Sequence, residues 1–221
     1  MTEENNEKQL ALAQVNMASY KKKVNAESWN DDYENLICSW GEKAAGLKFM
    51  HASSSSYWRG VSNNLTLYSI IATTVASAAS LIAGSVDDVN AKDVVLFTAG
   101  GIGLFTSFIQ SLKKFYNADE KAAEHGSIAK QFDSYYRYIT LQMGQSREDR
   151  RPSDELSEWA LKEYERLQQE ALPLSKSDIS KFIKTFKDSE QAIPDVCKNE
   201  FKIKIYNRKE NKDTERDIEN Q

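Results

Sequence analysis

Two stretches of the sequence contain no charged residue: 61–86, VSNNLTLYSIIATTVASAASLIAGSV, and 94–112, VVLFTAGGIGLFTSFIQSL. As α-helices, with a rise of about 1.5 Å per residue, they would be about 39 Å and about 29 Å long. The hydrocarbon core of a bilayer is about 30 Å thick, so both stretches are long enough to span it. The sequence therefore predicts a two-helix transmembrane hairpin.

The alternative is a hydrophobic hairpin buried inside a soluble domain. Six hydroxyl residues make the first stretch polar for lipid: Thr66, Ser69, Thr73, Thr74, Ser77 and Ser80. Such side chains are nevertheless tolerated in membrane helices, because each hydroxyl can donate a hydrogen bond to the carbonyl one turn earlier. A chain of 221 residues also offers little other protein to surround two helices of this length, which favours the membrane.

Basic residues precede the first stretch and follow the second, at the ends remote from the connecting loop. They are Lys43, Lys48, Arg59, Lys113, Lys114, Lys121 and Lys130, whereas the connecting loop contains only Lys92. Because Lys and Arg are retained on the cytosolic side of a membrane, both termini are predicted to face the cytosol. The acidic, polar N-terminal residues predict that no cleaved signal peptide precedes the spans.

The remaining composition argues against several classes of protein. The 29 Lys and Arg against 33 Asp and Glu give a net charge of −4, which does not favour a nucleic-acid partner. Two cysteines far apart and two histidines predict no zinc site, disulfide framework or redox motif. No catalytic constellation is evident, so neither an enzyme nor a cofactor is predicted. All three prolines lie beyond residue 151, which favours an all-α fold.

Small residues recur every four positions in both spans, on one face of each helix. The rows are Ser69, Thr73 and Ser77 beside Ala72, Ala76 and Ser80 in the first span, and Ala99, Gly103, Ser107 and Ser111 in the second. Such rows allow close backbone approach. Two interpretations remain open: the rows pack the two spans against each other, or their hydroxyls line a polar pathway in an oligomer.

Two amphipathic stripes flank the spans and predict cytosolic helices. The first consists of Trp29, Tyr33, Leu36, Ile37, Trp40, Ala44 and Leu47, and the second of Ile128, Phe132, Tyr135, Tyr136, Ile139 and Met143. If the chain folds back at Val89, the stripes meet and bury each other in one long antiparallel hairpin. His51 and His125 would then approach each other, either as a pair that titrates near neutrality and biases a switch or as hydrogen-bonded partners within the bundle.

Further helices are predicted after the hairpin. Pro152 and the acidic residues that follow it predict a helix to Gln169. Ser175 and Asp178 form a capping signature for a second amphipathic helix. Its apolar face is expected to pack on the bundle, with the membrane surface as the alternative, and consists of Ile179, Phe182, Ile183 and Phe186.

The two ends of the chain carry weaker patterns. A short coiled-coil seam is predicted at Leu10, Ala13, Met17, Tyr20 and Val24. Residues 191–221 resemble a charged, flexible tail, in which three apolar residues alternate with lysines either by chance or as a strand that adds to a partner's sheet. These are Phe201, Ile203 and Ile205. The predicted division is N-terminal cytosolic helices (1–60), transmembrane hairpin (61–112), cytosolic helical region (113–190) and tail (191–221).

A series of short motifs recurs in a characteristic order around the spans. The series is Trp40-x-Glu42-x-Ala44, Phe49-Met50-His51, Tyr57, the two spans, Ala122-x-x-His125 with aromatic residues after it, Arg151 and two short helices. Between Trp29 and Phe186 this order resembles the SLATT domain, a two-transmembrane effector domain of prokaryotic conflict systems.

The resemblance implies an all-helical membrane protein that oligomerises and perturbs or permeabilises a membrane when a cytosolic sensor reports a nucleotide signal. It implies that Trp40, Glu42, His51 and His125 are structural or coupling residues near the membrane boundary. The sequence contains no nucleotide-sensor domain, and stand-alone relatives in large DNA viruses imply a non-conducting anchor or scaffold as the alternative. Expected partners are the lipid bilayer, further copies of the chain and a protein bound through the tail.

Overall fold

The chain folds into helices throughout the part that the computed structural model describes, residues 2–198, with side chains described from residue 12. The helices are α1 (Thr2–Ser28), α2 (Asp31–Ala83), α3 (Val89–Tyr116), α4 (Ala118–Met143), α5 (Ser153–Glu170) and α6 (Lys176–Thr185), followed by a 3-10 turn at Asp195–Cys197. No strand occurs between residues 2 and 198, so the all-α prediction is confirmed for this part of the chain.

The longest element is α2, whose 53 residues extend over about 80 Å. It begins at a capped N-terminus, because the side chain of Asn30 accepts a hydrogen bond from the Tyr33 amide and acidic residues fill the first turn. It ends at Ala83, three residues short of the predicted end of the first span. The chain reverses over residues 84–88, before Val89, and Asp88 caps the N-terminus of α3 by accepting from the Ala91 amide.

The second leg of the hairpin, α3 followed by α4, packs antiparallel to α2 in the predicted register. A Cβ atom on Gly41 would lie 3.0 Å from Cγ2 of Ile139, so the two backbones approach closely there. These residues are 48 before and 50 after Val89. Gln110 donates to the Ser69 hydroxyl at 3.2 Å, and the two residues are again nearly equidistant from Val89. The contacts confirm that the two amphipathic stripes meet.

A single residue interrupts the second leg of the hairpin. Asn117 has left-handed backbone angles, with φ of 47° and ψ of 42°, and separates α3 from α4. Asparagine is among the few non-glycine residues that tolerate this conformation. The interruption follows Lys113 and Lys114, so it lies where the apolar part of the hairpin gives way to the bundle.

The hydrophobic core occupies the half of the hairpin remote from the turn, where α5 and α6 pack against α2 and α4. Its largest fully buried side chains are Phe132, Phe182, Ile37, Met50, Leu156 and Leu167. The predicted helices are confirmed, because α5 follows Pro152 and the Ser175 side chain accepts from the Asp178 amide at the start of α6. Phe182 reaches the bundle as predicted, with its ring centroid 6.1 Å from that of Phe49.

The predicted packing stripe needs correction at three positions. Trp29, Phe132 and Ile139 are buried, but Tyr33 and Leu36 are exposed to 38% and 42%. Tyr136 is only half-buried. Tyr33 lies in the first turn of α2, and Leu36 is about 100° around the helix from buried Ile37, so both fall outside the strip that α4 and α5 cover.

The apolar half of the hairpin has no cover within the described chain. By length and composition, the long helices formed by α2 and by α3 with α4 could both cross a membrane, and no residue in the most apolar window of α2 is buried. Leu81, Phe97 and Leu104 are 80%, 82% and 76% exposed. Within residues 2–198, the rest of the chain therefore does not enclose the hairpin as a soluble domain would.

The two ends are less informative. On α1, Met17 and Tyr20 are 62% and 69% exposed, and Val24 is 47% exposed. The predicted coiled-coil seam thus has no partner helix among the described elements, and the side chain of Leu10 lies outside the described residues. The tail pattern around residues 201–205 lies outside them as well.

Candidate functional site in the polar belt below the apolar hairpin

Polar residues concentrate where the apolar hairpin meets the bundle, and we call this region the polar belt: residues 51–69 of α2, 110–125 of α3 and α4, and the N-terminus of α6. At its lower edge His51 and His125 are 1% and 4% exposed, with their Nδ1 atoms 2.9 Å apart. Two ring nitrogens form a hydrogen bond only when one carries a proton and the other does not. The pair therefore joins α2 to α4 only while at least one of the two rings is neutral.

The surroundings keep this pair uncharged at neutral pH. Burial, and secondarily the neighbouring His125, lowers the pKa of His51 to about 4, while Asp178 opposes the shift. Burial also lowers the pKa of His125, although Asp178 and Glu124 act in the other direction. The structure shows the two histidines as hydrogen-bonded partners within the bundle, and their burial disfavours titration near neutrality.

The histidine pair makes the stability of the bundle depend on pH. In the unfolded chain His51 takes up a proton near pH 6.5, but in the folded chain only near pH 4. The unfolded state therefore binds more protons between these values, and the free energy of unfolding falls by about 3 kcal/mol as the pH falls from 6.5 to 4. We expect chemical denaturation of the protein in detergent to show this loss and the variant His51→Gln to show a smaller one. Equal slopes for both proteins would contradict the assignment.

Behind the histidines, Asp178 joins α6 to α2. The hydroxyls of Ser54 and Ser175 both donate to its Oδ2 atom at 2.6 Å. Ser54 is 2% exposed and Asp178 is 9% exposed, so this carboxylate is held in the interior by two short hydrogen bonds. The sequence identified Ser175 and Asp178 only as a helix cap. Their contact with Ser54 spans 124 residues of chain, and no local pattern signals it.

A close approach of α2 and α4 follows one turn further up. Ser55 donates to the Ala122 carbonyl at 2.7 Å, and a Cβ atom on Gly126 would lie 3.0 Å from the Ser55 oxygen. A larger residue than glycine at position 126 would push against this buried hydroxyl. Gly126 thus allows the two backbones to be joined by a side chain as short as serine.

At the upper edge of the belt a basic residue enters the hairpin. Lys113 pairs with Asp119 at 2.9 Å and donates to the Thr66 hydroxyl at 2.9 Å, while Ser62 donates to Asp119. These hydrogen bonds, from Ser62 first and then from Lys113, lower the pKa of Asp119. Sequence reasoning used Lys113 only as an indicator of orientation and missed the network that it forms across α2, α3 and α4.

The four motif residues of the resemblance divide into two groups. His51 and His125 lie in the belt, but Trp40 and Glu42 lie about 30 Å along α2 from residue 61, where the uncharged stretch begins. Trp40 is half-buried against the core, and Glu42 accepts a hydrogen bond from the Ala192 amide at 2.6 Å. Glu42 thereby fastens the chain after α6 onto the bundle, and Trp40 packs against the core.

The contact between α2 and α3 includes part of the predicted rows, namely Ser69, Ala72, Ala76 and Ala99, and departs from the rest. The residues that α2 and α3 turn toward each other are Ser69, Ala72, Ala76, Ala79 and Ala83 on α2 and Ala99, Ile102, Thr106 and Ile109 on α3. Their spacing alternates between three and four, which keeps them on one face, whereas a constant step of four drifts by about 40° each time. Five predicted residues off this face are exposed: Thr73, Ser77, Ser80, Ser107 and Ser111. Gly103 is half-buried, but a Cβ atom on it would meet nothing within 4 Å.

The exposed hydroxyls are satisfied within their own helices. Thr73 donates to the Ser69 carbonyl at 2.8 Å, and Ser111 donates to the Ser107 carbonyl at 2.9 Å. This is the bonding expected of hydroxyl residues in an apolar helix. Packing within the hairpin is therefore not the role of this face, and the second interpretation, an oligomer, stays a prediction.

Neither a metal site nor a family assignment arises from these residues. Between residues 2 and 198 no group of three or more His, Cys, Asp or Glu side chains is arranged to hold a metal ion. Comparison of the chain with protein-family models, with curated proteins and with solved structures gave no match.

Proposed function

We propose that the chain is a two-span membrane protein whose apolar hairpin crosses a bilayer and whose bundle lies in the cytosol. The observation that carries the proposal is the uncovered apolar half of the hairpin, with large residues such as Phe97 and Leu104 exposed by more than three quarters. Soluble proteins rarely expose a contiguous apolar surface of this extent, whereas lipid covers it without cost.

The dimensions support a spanning arrangement. The helical parts 61–83 and 89–112 are about 35 Å and about 36 Å long, slightly more than the bilayer core of about 30 Å, which a modest tilt accommodates. Basic residues begin immediately below, with Lys113 and Lys114 at the end of α3 and Arg59 before residue 61. Only Lys92 lies near the turn, so the positive charge favours a cytosolic bundle.

A labelling experiment tests this arrangement. Cys38 and Cys197 are first changed to serine. Two variants then each carry one new cysteine, either in place of Lys92 near the turn or in place of Glu165, an exposed residue of α5. In sealed vesicles a membrane-impermeant maleimide is expected to label the two sites from opposite sides. Labelling of both sites from the same side would overturn the proposal that the hairpin spans.

Within this arrangement we assign the protein an effector role of the SLATT type, in which several copies associate and permeabilise the membrane. The resemblance and the outward hydroxyl face of Thr73, Ser77, Ser107 and Ser111 support this role, because association through that face would bring hydroxyls together inside an oligomer. The second candidate is a non-conducting anchor or scaffold. It is favoured by the exposed apolar residues of α1, such as Met17 and Tyr20, which suit a bound partner.

Leakage from liposomes distinguishes these two roles. We expect purified protein to release a trapped dye, and Ser77→Leu and Gly103→Leu to reduce release to the protein-free rate, because added bulk blocks close approach. A Cβ on Gly103 meets nothing within 4 Å in the single chain, so this variant is expected to fold. Val75→Leu, on another exposed position of α2, is the control. Inserted protein that releases no dye would favour the anchor.

A further inference from the structure

A cleft of about 430 Å³ opens beside the histidine pair and has no part in the proposed membrane function. It lies where α2, the first turns of α4 and the segment 172–178 meet. A cavity of this size admits a small organic molecule. Three of its lining side chains are nine-tenths or more buried: Ser54, His125 and Asp178.

The charge of this cleft is negative. Asp178, Glu120 and Glu124 contribute three carboxylates to the lining, against one lysine, Lys121, and a neutral histidine. Carboxylates in a partly enclosed cleft favour a cation and disfavour an anion. Acidic side chains alone would not define a site, so the remaining groups in the lining decide what is bound.

One wall of the cleft is aromatic and already holds an ammonium group. The Nζ atom of Lys121 lies 4.4 Å from the centroid of the Trp58 ring, within the range of a cation–π interaction. Tyr57 lines the cleft beside it. Aromatic faces next to carboxylates are the groups that recognise ammonium ions in proteins.

Two polar atoms that belong to mostly buried side chains complete the lining. The hydrogen bonds of Asp178 use Oδ2, and that of His125 uses Nδ1. Among the described residues, Oδ1 of Asp178 and Nε2 of His125 have no hydrogen-bond partner, although both side chains line the cleft. The Asp178 oxygen can therefore accept a hydrogen bond from an N–H donor of a ligand, and such charge-assisted hydrogen bonds are short and strong.

We propose that this cleft binds a small alkylammonium ligand, with the ammonium group at Asp178 and Glu124 and the carbon chain along Trp58. The proposal does not depend on the hairpin spanning a membrane. Two sources share this chemistry: a free amine in the cytosol and the ethanolamine headgroup of a phospholipid, since the cleft lies at the base of the apolar hairpin.

The experiment measures binding to the full chain in detergent by calorimetry, with putrescine as the free amine. The uncharged analogue 1,4-butanediol and the anion succinate are the ligand controls. A second arm compares tryptophan fluorescence of the protein in phosphatidylcholine vesicles with and without phosphatidylethanolamine. Putrescine binding identifies the free amine as a source, and a response to ethanolamine lipid identifies the headgroup.

Variants test the assigned residues. Asp178→Asn is expected to weaken binding about tenfold or more, and Glu124→Gln by a smaller factor. Glu124 is exposed and has no ion pair among the described residues, so its variant stays informative even if Asp178→Asn fails to fold. Glu165→Gln on α5 removes an equal charge far from the cleft and is expected to bind as the wild type does. Any of three results would overturn the proposal. Neither amine binds, succinate binds as tightly as putrescine, or Glu124→Gln and Asp178→Asn both keep the affinity of the wild type.

Discussion

Replacing Leu104 with lysine is expected to reduce the equilibrium constant for membrane insertion, the ratio of bound to free protein, by about 100-fold. Leu104 is 76% exposed near the middle of the apolar part of α3, so in the proposed spanning arrangement the new charge would lie near the centre of the bilayer. A lysine at the centre of a spanning helix costs about 3 kcal/mol relative to leucine, which corresponds to this factor. Flotation of liposomes after co-translational insertion measures the bound fraction.

The matched control is Leu161→Lys, at a 45% exposed position on α5. This variant introduces the same charge on the bundle, so we expect its flotation to equal that of the wild type. A Leu104→Lys protein that floats as well as Leu161→Lys would contradict a spanning α3. If the hairpin were surrounded by water, Leu104→Lys would instead increase the solubility of the protein, and its flotation with liposomes would not fall below that of the wild type.

The second large effect concerns the core of the bundle. We expect Phe132→Ala to lower the free energy of unfolding by about 3–5 kcal/mol, the usual cost of removing a buried phenyl ring. Phe132 is fully buried, and its ring stacks on His51 at 5.8 Å and contacts Tyr164 at 6.5 Å between centroids. Because small domains are stable by only about 5–15 kcal/mol, this is a large share of the total.

Chemical denaturation in detergent measures the loss, and Phe115→Ala serves as the comparison. Phe115 is 79% exposed near the end of α3, so its removal leaves no cavity and should cost less than about 1 kcal/mol. A similar loss for both variants would mean that Phe132 does not lie in a packed core. Removal of Phe132 should also hydrate His51 and raise its pKa toward the ordinary value, which an NMR titration of the ring would detect.

Periodicity in the sequence was enough to predict the long hairpin and its register. The two stripes are symmetric about Val89, and burial of both requires that they face each other, as Gly41 and Ile139 do. The caps at the starts of α5 and α6 were equally predictable, because Pro152 and Ser175 act on backbone groups within one turn. The caps depend on contacts within one helical turn, and the register depends on a hydrophobic pattern that repeats along the chain, so both can be read from the sequence.

The candidate site was predicted only in part, because its causes are distant along the chain. The approach of His51 to His125 followed from the register, but the link from Ser54 to Asp178 depends on how α6 returns to the bundle. The helix interruption at Asn117 was missed, since an asparagine between Tyr116 and Ala118 carries no marker stronger than its tolerance of a left-handed backbone. The contact face of α2 and α3 was predicted only in part, because a row of small residues at steps of four follows the true face over two turns and diverges from it over five.

The unequal construction of the two legs of the hairpin has a mechanical consequence. One leg, α2, is a continuous helix from residue 31 to residue 83, so a single element joins the bundle to the tip of the hairpin. The other leg is jointed at Asn117 and can change its angle there by rotating two backbone torsions. A force applied to the bundle would therefore reach the apolar half through α2 directly, and through α3 only by way of Asn117 and the ion pair of Lys113 with Asp119 that bridges it.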